Sequence, residues 1–387
     1  MAQQYEISRL VHEVSTFAAS TQQATKNPIS FGLDPQQRID YLDIQVVGQL
    51  TSSGETTIAI DSKSERDDLL DALISQVRLY SSPLGDVIRT LSFSEIGQCV
   101  SYLNADFLQS NLPRPGQSKN CETTGEYDFK LNLSVPFRLD ATSVQALYAP
   151  RVAQFPDGGI SFKTGDGSAS LGGKTWAVDS ATTVQFRMRG PVTNASAKVS
   201  PLLYEKVTTS STNPEFQSGV YMLLMNNTDS AATAYGTGGA SAGLRIMIDG
   251  ETAVEMNDYD PLVWLGSMIQ NSPDPSAYDL DIAFYDESGK DGRYIWDRVG
   301  IPVFYTTARD KSFNFTLVRD RCVLELGSNW TTSCDWLNVR IRPLDEVGDV
   351  PGCSCRTNSG SIVGNPGEGA GSSAVAKIVN PRIEVAG

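Results

Sequence analysis

The stretch YDFKLNLSVPFRL, Tyr127–Leu139, alternates without an error. Tyr127, Phe129, Leu131, Leu133, Val135, Phe137 and Leu139 fall on one side. Asp128, Lys130, Asn132, Ser134, Pro136 and Arg138 fall on the other. Successive side chains of a strand point to opposite faces, so the segment reads as one strand with an apolar and a wet face. At about 3.3 Å per residue it spans roughly 40 Å, well above the usual strand of about five or six residues. Such length fits a tall antiparallel sandwich, an architecture suited to scaffolds and binding modules. Pro136 has no N–H to give a ladder, so pairing is expected to fail or bulge near the strand's end.

Flanking segments repeat the pattern. Tyr41–Thr51 puts Leu42, Ile44, Val46, Gly48 and Leu50 on one face. Strands are expected at 73–80, 87–93 and 183–189. In the second half they are expected at 220–225, 244–248, 253–256, 280–285, 301–305, 313–319, 322–326 and 337–342. Ala374–Val385 reads as a terminal strand, with Pro381 keeping part of it at an edge. Asp249-Gly250 is a tight hairpin signal. Ser64–Ala72 reads as a short helix capped by Ser64, and Ser94–Phe107 as a second one. Residues 154–181 read as loop, and 354–373 as Gly/Ser/Asn-rich loop. Residues 5–19 read as an amphipathic helix, with Ile7, Leu10, Val11, Val14, Phe17 and Ala18 at i, i+3, i+4, i+7 spacing. That stripe must pack on its own domain, a neighbour or a membrane surface.

The 387 residues suffice for two or three cores, and 33 Gly with 19 Pro provide the turns of an all-β protein. A formal net charge of −14 argues against non-specific nucleic-acid binding. No apolar run reaches the length of a membrane-spanning helix. The start, MAQQYEISRLVHEV, lacks the basic and apolar segments of a secretory signal. Six cysteines are too sparse for a disulfide framework. Cys353 and Cys355 form a C-x-C pair with no matching partner pair, so no metal is assigned to it.

The chemistry of most enzymes is missing. His12 is the only histidine, which rules out HExxH and two-histidine metal sites and leaves a Ser-His-Asp triad only the N-terminal segment to draw on. It reads as a surface histidine of a helix. Gly167–Thr175 resembles a phosphate loop, but Gly167 to Gly173 holds one residue too many and no helix pattern follows. It reads as a surface loop. Asp249, Glu251, Glu255, Asp258 and Asp260 match no calcium-loop spacing and read as solvated turn acids. A glycosidase pair among 45 acidic residues has no specific signal. Five N-x-S/T sequons (Asn132, Asn194, Asn226, Asn314, Asn329) are what a Ser/Thr-rich chain gives by chance. No catalytic residue, cofactor or metal ligand is assigned.

The order of features in residues 5–190 carries a resemblance. An N-terminal arm leads to a Phe31…Asp34-Pro35 turn and a strand ending in Leu50-Thr51. Then come LISQVRL (Leu73–Leu79), VPFRL (Val135–Leu139) and VQFRMR (Val184–Arg189). This resembles major capsid proteins of the double jelly-roll lineage, found in internal-membrane icosahedral phages and their adenovirus-like relatives. The resemblance implies an all-β chain of two jelly-roll sandwiches side by side with a short N-terminal helical arm. The arm would take residues 1–37, the first jelly roll 38–190 and the second 191–387. It further implies a non-enzymatic homotrimer of pseudo-hexagonal outline that tiles an icosahedral virion over an internal lipid membrane and is assembled in the host cytoplasm. Its partners would be neighbouring capsomers, penton or minor capsid proteins and, through the arm, the membrane, with no direct nucleic acid. Ile7, Leu10, Val11, Val14 and Phe17 would be the arm's contact residues. The competing readings are a carbohydrate- or receptor-binding β-sandwich, as in a spike or adhesin, and a hydrolase on a jelly-roll scaffold.

Overall fold

In a computed structural model of the chain, the described residues are 6–24, 34–35, 37–81, 84–101, 108–114, 116–137, 152, 155, 157–192, 202–209, 215–216, 220–225, 244–248, 251–256, 301–305, 322–326 and 334–341. The first part contains β1 (Glu6–Val14), β2 (Gln22–Ala24), β3 (Tyr41–Thr51), β4 (Thr57–Ile60), α1 (Lys63–Leu73), β5 (Ile74–Ser81), β6 (Gly85–Leu91), α2 (Phe93–Ser101), β7 (Leu108–Ser110), β8 (Gln117–Asn120), β9 (Glu126–Pro136), β10 (Gly159–Thr164), β11 (Ser168–Leu171), β12 (Lys174–Val178) and β13 (Thr183–Pro191). The second contains β14 (Leu202–Thr209), β15 (Glu215–Phe216), β16 (Val220–Met225), β17 (Leu244–Ile248), β18 (Glu251–Met256), β19 (Ile301–Tyr305), β20 (Cys322–Leu326) and β21 (Cys334–Ile341).

Pairing fixes the topology. One sheet runs β1-β13-β3-β9, with β7 beyond β9. The facing sheet runs β2-β10-β5-β6. Ranked in chain order, the eight strands β1, β2, β3, β5, β6, β9, β10 and β13 lie in the orders 1-8-3-6 and 2-7-4-5. First pairs with last and second with next-to-last, so a folded hairpin of strands has rolled into a sandwich. This is a jelly roll. The remaining strands decorate it. β4 pairs β8, and β11–β12 forms a hairpin joined to the Leu50–Thr51 end of β3.

The second part repeats this order. β14-β21-β16-β19 and β15-β20-β17-β18 are again 1-8-3-6 and 2-7-4-5. β14 also pairs in parallel with β6. The second sheet of the first roll therefore continues into the first sheet of the second roll, as one eight-stranded sheet. The chain is a double jelly roll.

The alternation of Tyr127–Leu139 produces β9, which pairs with β3 along its whole length from Glu126↔Thr51 to Pro136↔Tyr41. Its apolar row from Tyr127 to Phe137 is buried, as are Leu42, Ile44, Val46 and Leu50 of β3. They meet Val77, Leu79, Ile160 and Phe162 from the facing sheet in one core. The expected failure or bulge at Pro136 does not occur on the β3 side: Pro136 stays in register with Tyr41, and the Phe137 N–H donates to the Asp40 carbonyl (2.8 Å), so the nitrogen of Pro136 faces away from that ladder. Arg138 and Leu139 lie outside the described residues. Gly48 sits where a Cβ would come within 2.0 Å of the Thr182 hydroxyl oxygen, so the β3 backbone passes that turn with no room for a side chain.

Several expectations are corrected. Residues 6–14 are not a helix but strand β1, paired antiparallel with β13. The apolar spacing misled because a bulge lies between Leu10 and His12. In an unbroken strand Ile7 and Val14, an odd number of residues apart, would face opposite sides. The extra residue at the bulge returns both to the core side, where they pair with Gly190 and Val184. Three strands occupy the expected loop at 154–181. Its glycines and aspartates sit at the turns, and Gly172-Gly173 (φ +57° and +71°) closes the β11–β12 hairpin that replaces the expected surface loop. The cap of α1 is Ser62, whose hydroxyl accepts from the Glu65 N–H, rather than Ser64. α2 starts from a reciprocal capping box. The Glu95 N–H donates to the Ser92 hydroxyl (3.2 Å), and the Ser92 N–H donates to the Glu95 carboxylate (2.9 Å). The expected strands at 280–285, 313–319 and 374–385, the loop at 354–373 and the C-x-C pair lie outside the described residues. β17 and β18 pair antiparallel across positions 249–250, as the Asp-Gly signal required.

Candidate assembly surfaces and the junction between the rolls

The two rolls meet at a seam made by β14. β14 lies in the middle of the eight-stranded sheet, with Leu202, Leu203, Tyr204 and Glu205 all buried. Leu202, Tyr204, Leu337 and Val339 belong to the same continuous core as the first roll. The Tyr204 hydroxyl donates to the Pro136 carbonyl at the end of β9, and the Leu202 N–H donates to the Phe137 carbonyl (3.3 Å). Lys206 Nζ donates to the Glu95 carboxylate (2.9 Å), so β14 is also tied to the first turn of α2.

The alternate residues of β14 and β21 carry a buried polar cluster. Glu205, 8% exposed, accepts from Asn338 Nδ2 at 2.8 Å. Arg340 Nε lies 3.4 Å from the same carboxylate oxygen, and Arg89 of β6 reaches the other at 4.0 Å. A carboxylate this enclosed requires such partners, because an uncompensated buried charge costs several kcal/mol. Glu205 is therefore shared by both rolls, with Arg89 from the first and Asn338 and Arg340 from the second. Residue patterns did not single out this cluster. A charge inside the apolar run LLYEKV was its one local signal.

The outer face of the β1-β13-β3-β9 sheet forms one wall of the first roll. Near one end it is knitted by a partly buried fork. Arg189 Nε and Nη2 donate to the two Asp43 oxygens (2.8 and 3.1 Å), Ser134 Oγ donates to Asp43 (2.6 Å), and the Arg189 guanidinium lies 4.2 Å from the Tyr41 ring centre. Further along, Val47 is 44% exposed beside Lys130 and Thr183, and Leu10 is 43% exposed opposite Arg187. The sequence-derived contact residues separate. Phe17 is buried, Val11 and Val14 pack partly on the core, Ile7 is half-buried, and Leu10 alone is open to solvent.

A polar cleft of about 500 Å³ opens between α1 and β10–β11, lined by Asp68, Asp71, Asp166, Lys163, Thr164 and Ser75. Burial pushes the Asp71 carboxyl up to about 6, although the Ser94 N–H (3.0 Å) and hydroxyl (2.8 Å) donate to it. Burial and then the neighbouring Asp67 also raise Asp68. Among the described residues no group of three or more His, Cys, Asp or Glu is placed to hold a metal ion. The acids at 249–260 lie outside the described residues, apart from the backbone of Glu251 and Glu255 in β18. Burial raises the Cys99 thiol far above its ordinary value, and Cys121 is raised as well.

No family model matches the chain, and no curated protein matches it in sequence. Solved structures do match in shape. A chain in the atomic structure of Sulfolobus Turreted Icosahedral Virus superposes with a TM-score of 0.50 at 13% identity, covering 97% of both chains. The STIV MCP gives 0.49 at 11% identity over 88% of this chain and 97% of that one. The Faustovirus major capsid protein gives 0.42 at 8% identity over 88% and 91%. At such low identity the likeness concerns fold alone. The chain shares its fold with the Sulfolobus virus chain.

Proposed function

We propose that this protein is a structural major capsid protein that acts by assembly, with no reaction of its own. The observation that carries this reading is the repetition of 1-8-3-6/2-7-4-5 topology in two rolls joined through one continuous sheet. Each chain thereby offers two similar upright blocks at a fixed angle. Three such chains supply six blocks, enough for a pseudo-hexagonal capsomer that tiles an icosahedral shell. On this reading the chain divides near residue 191, with β1 and β2 included in the first roll. The subunit's partners are two further copies of itself, neighbouring capsomers and penton or minor capsid proteins. The subunit is assembled in the host cytoplasm and resides in the virion. Leu10, exposed on β1, is the contact residue of the N-terminal segment toward a neighbour or an underlying lipid membrane.

Purified full-length protein tests this by sedimentation and negative-stain electron microscopy. Trimers of hexagonal outline are expected. A monomer that binds glycans would replace the capsid reading with a receptor-binding sandwich.

A further inference from the structure

His12 occupies an unusual place for the only histidine of the chain. It lies on β1, which has one neighbour, β13, and ends its sheet among the described residues. The bulge turns it inward, opposite Phe186. Its ring stands edge-on to Phe162 of the facing sheet (centroids 5.7 Å apart, planes at 70°) and tilted on Phe186 (6.5 Å). Nε2 is buried and makes no hydrogen bond. Of the charged groups on the packed strands, Glu13 is hydrogen-bonded by Gln185 and Arg187 pairs with Leu10, both on the outer face. Arg9, beside Met188, and Lys163 of β10 are exposed cations, and β2 contributes only Gln22 and Gln23. Among the described residues no carboxylate is positioned to welcome an imidazolium.

We propose that His12 is a proton-operated latch that holds β1 to the sandwich when neutral and releases it when protonated. A cation packed against two buried aromatic rings loses hydration and gains no carboxylate partner. Leaving the sandwich restores both, at the expense of pairing with a single neighbour strand. Burial holds the imidazole below its ordinary 6.5. The folded state thus binds the proton more weakly than the released strand does. The latch is fully closed above about pH 6.5 and weakens as pH falls toward the lowered value, by about tenfold per pH unit at most for one proton. The freed segment carries the Ile7, Leu10, Val11, Val14 spacing of an amphipathic helix, which strand pairing overrides at neutral pH. Asp71 also takes up a proton in this range, but on α1 and with the opposite sign, since its protonation strengthens the fold.

The test is amide exchange on the full-length protein from pH 7.5 to 5.0, expressed as protection factors so that the intrinsic pH dependence divides out. The single imidazole is followed in parallel by NMR. Expected are an imidazole midpoint below 6.5 and protection at residues 6–14 that falls several-fold in acid while β3 stays constant. His12→Phe and His12→Gln, neither of which titrates, should abolish that fall, the glutamine variant serving if the phenylalanine one fails to fold. Unchanged protection at residues 6–14 between pH 7.5 and 5.0, or the same fall in either variant, overturns the latch.

Discussion

Truncating Tyr204 addresses the claim that the two rolls share one core. Its ring is fully buried in the shared core and its hydroxyl binds the buried Pro136 carbonyl. Tyr204→Phe keeps the ring and strands that carbonyl, which costs about 1–3 kcal/mol. Tyr204→Ala also removes the ring, and large aromatic truncations in cores cost about 3–5 kcal/mol. The loss falls at the seam, so cooperativity should suffer along with stability. Trp176 is buried in the first roll and Trp336 in the second, so single-tryptophan versions report each half separately. In urea the parent should show coincident transitions at both probes. Tyr204→Ala should shift both and separate them, with the second roll melting first. A Tyr204→Ala protein within about 0.5 kcal/mol of the parent, with coincident transitions, would refute the shared-core reasoning.

Four further outcomes follow. Lys206→Glu places like charges against Glu95 and should weaken the junction in low salt, an effect that Glu95→Lys in the same chain partly reverses in a double-mutant cycle. Thr90 sits at φ +53°, a region β-branched residues avoid, so Thr90→Gly should raise the unfolding midpoint by the equivalent of about 1 kcal/mol. Gly190→Ala would bring a Cβ within 2.0 Å of the Arg38 carbonyl oxygen, and chemical denaturation should show a loss of about 1–3 kcal/mol or more. Asp71 binds a proton more tightly folded (about 6) than unfolded (3.8), so its contribution to stability is full below pH 3.8 and is lost as pH rises through about 6. Asp71→Asn should flatten that part of the stability profile, by on the order of 3 kcal/mol at most, measured by denaturation at pH 4, 6 and 8.

Much of the wall structure was legible in the chain, for a definite reason. β3 and β9 each have one buried and one wet face, so period-two alternation survives in the sequence. β14 shows no alternation over Leu202–Glu205 because both faces of that half of the strand are buried. β1 was misread because its bulge turns a strand's period into a helix-like one. β10, β11 and β12 are short and hidden between glycine turns. The Glu205–Asn338–Arg340 cluster joins residues more than a hundred positions apart, and no local pattern encodes such a meeting. His12 was legible as the chain's single histidine, but its aromatic box forms only when β1, β10 and β13 come together.

The most direct measurement of the central claim is the mass and projected shape of the full-length protein in solution, by sedimentation equilibrium and electron microscopy of the same sample. A trimer near three times 41.9 kDa with a hexagonal outline is the expected result. A monomer across the micromolar range, with no ordered shells or sheets at high concentration, would contradict it.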